Sequence, residues 1–275
     1  MDCTLGGGGH AEAILERGGV VVGLDRDPDA VAAARERLEP YGARAVVVRA
    51  RFSQVDRVLA ELGYGEAEGF LWDLGLSSYQ VDMPDRGFGY QADGPLDMRM
   101  GREGRTAADL LAELDEGELR RVLWEYGEER WASRIAAFIV AARQRHPIRT
   151  TQELVAVIRD AIPASARRRG GHPARRTFQA LRIAVNDELA ELRASLSAAR
   201  RLVVPGGRLV AISYHSLEDR IVKTAFAAMV SEGEFRLLTK KPVVPSKAEV
   251  EANPRSRSAR LRSAARVESV DSRGT

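Results

Sequence analysis

Apolar residues in the first eighty positions fall into short blocks separated by polar stretches with helical spacing. Val20–Leu24, Ala45–Val48 and Gly69–Leu74 are apolar runs too short for helices. They are continuous rather than alternating, as expected of strands buried on both faces. Between them, Glu12–Arg17 and Asp29–Leu38 have helical patterning. Asp27 is a suitable cap for the second of these helices, and Pro28 fits its first position. Strand and helix alternating in this way over residues 1–83 predict a βαβ series on a parallel sheet.

The rhythm breaks at residues 84–104, where prolines and glycines punctuate a loop containing Phe88, Tyr90, Asp97 and Arg99. A loop of this length is often functional. Residues 106–162 are rich in Ala, Leu, Glu and Arg and read as inserted helices; the acids between Asp109 and Glu129 keep that face away from nucleic acid. Thr177–Val203 reads as one long amphipathic helix. A turn at Pro205-Gly206-Gly207, a strand to Ser213, a helix over Ser216–Met229, and antiparallel strands at Phe235–Leu238 and Ala259–Val267 follow. The expected division is a core over 1–103, a helical insertion over 104–171, and a second core part over 172–275.

Residues 4–10 read Thr-Leu-Gly-Gly-Gly-Gly-His, and the next strand ends at Asp25. Glycines allow a backbone to approach a ligand closely, since no Cβ intervenes. A glycine-rich first turn with an acid at the tip of the second strand is a nucleotide-binding arrangement, in which the acid takes ribose hydroxyls. The third glycine of a dinucleotide fingerprint is missing, and Asp2 leads the motif. The pattern is similar to the S-adenosylmethionine loop of Rossmann-like methyltransferases, with a nicotinamide or flavin site as the alternative. Ligands of such sheets sit beyond the carboxyl ends of the strands. Asp73, Ser77, Ser78 and Gln80 leave one such end, and Ser213-Tyr214-His215-Ser216 leaves another. Turn chemistry explains any one of these segments equally well. Their convergence on one crevice favours a site.

No apolar run approaches the roughly 18 residues of a membrane span. A single cysteine, Cys3, excludes an internal disulfide framework and points to a reducing, cytoplasmic setting. The four histidines show no metal-ligand spacing, so no metal is expected. The net charge is only +3, but residues 240–275 carry a local excess of basic groups, and residues 160–182 hold Arg167, Arg168, Arg169, Arg175, Arg176 and Arg182 against Asp160 alone. Such clusters suit a phosphate backbone, or simply a solvated surface.

Several long segments resemble the MraW family: Thr4–His10, Asp25-Arg26-Asp27-Pro28, Asp73–Ser78, Arg86-Gly87-Phe88, Asp93–Met100, Tyr126–Arg130, His172–Ala180, Ser213–Arg220 and Asn253-Pro254-Arg255. The resemblance spans nearly the whole chain. It implies an α/β fold: a Rossmann-like class I S-adenosylmethionine-dependent methyltransferase sheet with an inserted α-helical domain. It also implies methyl transfer from S-adenosylmethionine to the exocyclic N4 of a cytidine in the decoding region of bacterial 16S rRNA, with the small ribosomal subunit as the expected setting. Carried over by position, it puts Gly8, Gly9, His10, Asp25, Phe52, Asp73 and Gln80 around the cofactor. Members of that family carry a further segment before the first strand, with a His-x-Pro-Val run. Met1-Asp2 falls inside that strand, which is therefore expected to be short.

An exocyclic cytosine amine is a poor nucleophile, because its lone pair is delocalised into the ring. Asp73, Ser77 and Ser78 are candidates for holding it. His215 is a candidate proton acceptor or, equally, a helix cap. Carbon-5 chemistry would need a cysteine nucleophile, and Cys3 lies before the cofactor turn. A target base must be unstacked to enter such a crevice; Phe88, Tyr90 and Tyr214 are candidate stacking residues, or core. An amino-methyltransferase acting on DNA or another RNA, and a non-catalytic ribosome-assembly binder, remain alternatives.

Overall fold

The computed structural model describes residues 1–167 and 171–268 and divides into two compact units. One comprises Met1–Gly75 and the chain from Leu189 onward; the other is Leu76–Glu188. In chain order the elements begin with α1 (Gly9–Leu15), β1 (Val21–Asp25), α2 (Pro28–Leu38), β2 (Ala45–Arg49), α3 (Val55–Glu61) and β3 (Ala67–Asp73). Helices α4 (Ser78–Asp82), α5 (Ala107–Glu113), α6 (Glu116–Gly127), α7 (Ala132–Arg143), α8 (Thr151–Ala161), α9 (Ala164–Arg167) and α10 (Arg175–Asn186) follow. The chain closes with α11 (Glu188–Leu202), β4 (Val203–Ser213), α12 (Ser216–Ser231), β5 (Phe235–Leu237), α13 (Lys247–Ala252) and β6 (Arg260–Arg266).

The first unit is an α/β layer. Its strands run β2, β1, a one-residue bridge at Asp2, β3, β4, β6, β5. The strands from β2 to β4 are parallel, and β6 is antiparallel to both β4 and β5. The bridge at Asp2 is the short first strand. Its backbone pairs with Val22 and Leu24 on one side, and its neighbours Met1 and Cys3 pair with Leu71 on the other. It thereby joins β1 to β3. The core beneath holds Trp72, Phe70, Leu209, Phe226 and Leu196, all buried. Trp72 donates its indole N–H to Ser195 Oγ at 2.9 Å, so a large ring is buried without an orphaned donor.

Two elements differ from expectation. The helix expected over Thr177–Val203 is two helices, because Asp187 takes a left-handed conformation (φ 55°) that ends α10. The turn expected at Pro205-Gly206-Gly207 does not precede a strand but lies within β4, whose register to β3 shifts between Ala67 and Gly69.

The second unit has its own helical core, with Leu119, Leu123, Ile135, Ile139, Leu154 and Ile158 buried at its centre. Its bounds are wider than the expected 104–171, which corrects the boundaries set at 103/104 and 171/172. The loop over 84–104 belongs with the helices: Phe88, Leu96 and Met98 are buried in the same core. Leu96 N–H bonds Arg149 O, and Thr151 N–H bonds Gly94 O. At the other end, Asn186 donates to Met98 O at 2.7 Å and accepts from Met100 N–H at 2.9 Å. Loop carbonyls buried this way need partners, and the helices supply them.

Candidate functional site

The parallel strands of the first unit bring three carboxyl ends together: Asp25 at the end of β1, Thr4 just past the short first strand, and Asp73 at the end of β3. The glycine turn leaves the middle one. Leu5 N–H bonds Leu24 O and Gly8 N–H bonds back to Leu5 O, so the turn is closed before α1 begins. Gly6 and Gly8 have φ of 51° and 85°, which a side chain would strain. Above Gly6 and Gly7 a Cβ would meet open space, so the turn presents bare backbone outward.

Asp25 is fixed by backbone donors from Gly6, Arg26 and Asp27. Gly6 N–H gives to Oδ2 at 2.9 Å and Asp27 N–H to Oδ1 at 2.8 Å. Burial pushes its carboxyl up, and those backbone donors oppose the shift. Each oxygen has acceptor capacity beyond one bond. Asp27 itself caps α2, accepting from Asp29 N–H, as its place before Pro28 predicts.

Asp73 is held from three directions. Its N–H bonds Thr4 Oγ1 at 2.6 Å. Its Oδ2 lies 3.1 Å from His10 Nε2, and its Oδ1 accepts from the Tyr214 hydroxyl at 2.9 Å. The hydrogen bond to Asp73 is the largest influence on His10 and raises its pKa. Tyr214 is raised too, first by burial and then by the Asp73 charge. Behind this group, Asp2 is fully buried; its Oδ1 accepts from Thr4 N–H, while Oδ2 has no partner. Burial pushes the Asp2 carboxyl up to about 6.

The structure therefore brings Gly8, Gly9, His10, Asp25 and Asp73 to one edge of the sheet. Phe52, half-buried against the same core, follows β2. Ser77 and Gln80 belong to the second unit, where they form a reciprocal cap on α4: Gln80 N–H gives to Ser77 Oγ, and Ser77 N–H to Gln80 Oε1. The side chain of Ser78 lies outside the described residues. His215 caps α12: Nδ1 accepts from Glu218 N–H, and Nε2 lies 3.1 Å from Glu218 Oε1. Of the two roles open to His215 in the sequence, the cap is the one its ring nitrogens serve.

The candidate stacking residues are engaged. Phe88 is core, Tyr90 stacks on His172 at 4.4 Å, and Tyr214 serves Asp73. Sequence reasoning missed Thr4 and the hydroxyl role of Tyr214; their one sequence signal is position, each directly beside a strand end. Asp97 is bound by Arg99 through both carboxylate oxygens.

Arg175 and Arg176 are exposed at the start of α10, and Arg176 also donates to Glu128 O. With Arg130, Trp131 and His172 they line a pocket of about 260 Å³ in the second unit. Arg168 and Arg169, and the side chain of Arg167, lie outside the described residues. Among the described residues no helix is long and apolar enough to cross a membrane.

A parallel sheet with a glycine turn between two strand-end carboxylates, extended by an antiparallel pair, defines a Rossmann-like methyltransferase. The model of the MraW methylase family matches residues 1–267, and the chain belongs to that family. It is an enzyme. It is 54% identical over 287 residues to the Ribosomal RNA small subunit methyltransferase H of Symbiobacterium thermophilum, covering 98% of this chain and 90% of that protein. Proteins of the same name from Heliobacterium modesticaldum and Geobacter sulfurreducens are each 52% identical, covering 97% of this chain and 92% of their own lengths.

Proposed function

We propose that this enzyme transfers a methyl group from S-adenosylmethionine to the exocyclic N4 of a cytidine in the decoding region of bacterial 16S rRNA. The observation that carries the reading is the placement of Asp25 and Asp73 on either side of the glycine turn. The names of the relatives support an rRNA substrate, and the family motifs support the N4 position.

The residues present fit the cofactor. The open space over Gly6 and Gly7 suits an elongated ligand lying on backbone. Asp25, locked by backbone N–H groups, offers its remaining lone pairs to ribose hydroxyls. Phe52 offers a face to adenine. Asp73 and the Gly8–His10 turn take the methionine end. Bound S-adenosylmethionine supplies an electrophilic methyl group on a sulfonium.

The protein's own part is positioning. The Tyr214 hydroxyl holds the Asp73 carboxylate, and Thr4 Oγ1 holds the Asp73 backbone N–H. A fixed carboxylate orients its partners at no further entropic cost, and alignment of this kind contributes on the order of 7–11 kcal/mol at best. Arg175 and Arg176, with Arg130 beside them, are the proposed contacts of RNA phosphates.

Mass mapping of methylated nucleosides in small-subunit rRNA from cells with and without the protein tests this reading. Loss of one N4-methylcytidine-containing fragment is expected. An unchanged map would overturn it. Comparing naked rRNA, assembled subunits and duplex DNA as substrates in vitro separates it from an enzyme acting on other nucleic acids.

A further inference from the structure

The contact between His10 and Asp73 joins a titratable base to the carboxylate that the proposed cofactor site needs. Among the described residues, His10 is the one group bonded to the Asp73 side chain that can carry positive charge. Tyr214 holds the other oxygen as a neutral donor. The His10 ring is about half exposed (49%) and the Asp73 side chain less so (30%), so the pair lies at the open edge of the strand ends.

We propose that His10 is a proton-bearing placeholder on Asp73: it donates Nε2–H to the carboxylate in the free enzyme, and yields both the contact and the proton when a cationic group of the cofactor takes that oxygen. The inference rests on the reading that this edge binds S-adenosylmethionine.

The charges around His10 agree. Asp73, at the end of β3, and Asp2, on the short first strand, both favour the imidazolium; burial opposes it. On the helices beside it, Glu12 of α1 faces Arg37 of α2 at 3.9 Å, so these two charges offset each other. The free enzyme thus holds the His10 proton at a higher pH than an isolated histidine does. S-adenosylmethionine carries two cations, its sulfonium and its α-ammonium. Either one placed against Asp73 sets like charges side by side and lowers the affinity of His10 for its proton. The balance is simple: the Nε2–H···Oδ2 bond breaks, the cofactor's cation replaces it, and one proton passes from His10 to solvent.

The sign follows by linkage. The His10 pKa is higher in the free enzyme than in the complex, so binding releases protons. Affinity rises with pH between those two values and is flat above the higher one. The rise is at most about tenfold per pH unit for a single proton.

Calorimetric titration with S-adenosylmethionine near pH 7, about where histidine titrates, in two buffers of different ionisation heat reads this directly. The wild type is expected to release a fraction of a proton, up to one, per cofactor bound. His10→Gln retains a donor for Asp73 but has no proton to lose there, so the protons released per cofactor bound should fall below the wild-type value, whatever the affinity of the variant. S-adenosylhomocysteine, which keeps the ammonium and lacks the sulfonium, releases the same fraction if the ammonium is the competing cation and none if it is the sulfonium. Binding by the wild type without proton release, or equal release by His10→Gln, overturns the proposal. Absence of any binding by the wild type overturns the cofactor reading instead, and the placeholder with it.

Discussion

Polar groups at the strand ends of the sheet unit contrast with those that close the loops and caps of the helical unit. In the helical unit, polar side chains close structure. Asn186 meets Met98 and Met100, Arg86 donates to the carbonyls of Arg99 and Met100, and Arg143 reaches the carbonyls of Leu111 and Leu114. Thr106, Asp115 and Thr150 complete reciprocal caps on α5, α6 and α8. In the sheet unit, three carboxylates crowd the strand ends: Asp25 with backbone N–H groups, Asp73 with two side chains, and Asp2 with one oxygen that has no partner among the described residues. Unfilled acceptor capacity raises the energy of the resting protein, and it is useful only where a ligand supplies the missing donors or charge. The contrast separates polar groups that hold the fold from those that await a partner.

The sharpest test of that contrast is Asp25→Ala. It removes a charged acceptor of ribose hydroxyls, and hydrogen bonds to charged groups are worth roughly 1.5–3 kcal/mol. Affinity for S-adenosylmethionine should fall about ten- to a hundredfold by calorimetry. Unchanged affinity would remove Asp25 from the site.

Asn186→Ala is the counterpart in the helical unit. It strands Met98 O and Met100 N–H, at a cost of about 1–3 kcal/mol each where burial is complete. A lower unfolding midpoint in urea with unaltered cofactor affinity is the expected pair of results. Weakened cofactor binding with unaltered stability would reverse the assignment of roles.

Asp73→Asn keeps the shape and one acceptor oxygen but removes the charge. Single-turnover methyl transfer at saturating cofactor and RNA should slow at least about tenfold, or roughly 1.4 kcal/mol of barrier. The same assay on His215→Ala should show a smaller change, because that ring caps α12. A wild-type rate for Asp73→Asn would break the link between strand-end charge and chemistry.

The smallest effect belongs to the surface of the helical unit. Replacing Arg175 and Arg176 should leave cofactor binding intact and flatten the salt dependence of RNA affinity. The slope should drop by roughly 0.7 for each single-strand phosphate that is no longer neutralised. An unchanged slope, measured by titration at several salt concentrations, would make both arginines solvated decoration.

Local signals are what the sequence carried. Four glycines after a strand leave few conformations open, Asp27-Pro28 starts a helix by its own chemistry, and continuous apolar runs can satisfy their burial in a parallel sheet. The glycine turn, Asp25 at a strand tip and the antiparallel closing strands were therefore legible, while the first strand came only from the family resemblance. Tertiary structure alone decided the rest, because those outcomes depend on partners far along the chain. Tyr214 reaches Asp73 across 141 positions, and Thr4 reaches it across 69. The loop over 84–104 was expected to go with the first core part, yet Met98 O accepts from Asn186 and Leu96 N–H bonds Arg149 O, so it folds with the helices. The amphipathic pattern through Thr177–Val203 continues past the left-handed residue at Asp187, so periodicity did not reveal the break. The contacts of His215 with Glu218, three residues on, form the cap on α12 and come from the fold rather than from the pattern. Periodicity reports which face is buried; only the assembled fold reports which polar group is left for a ligand.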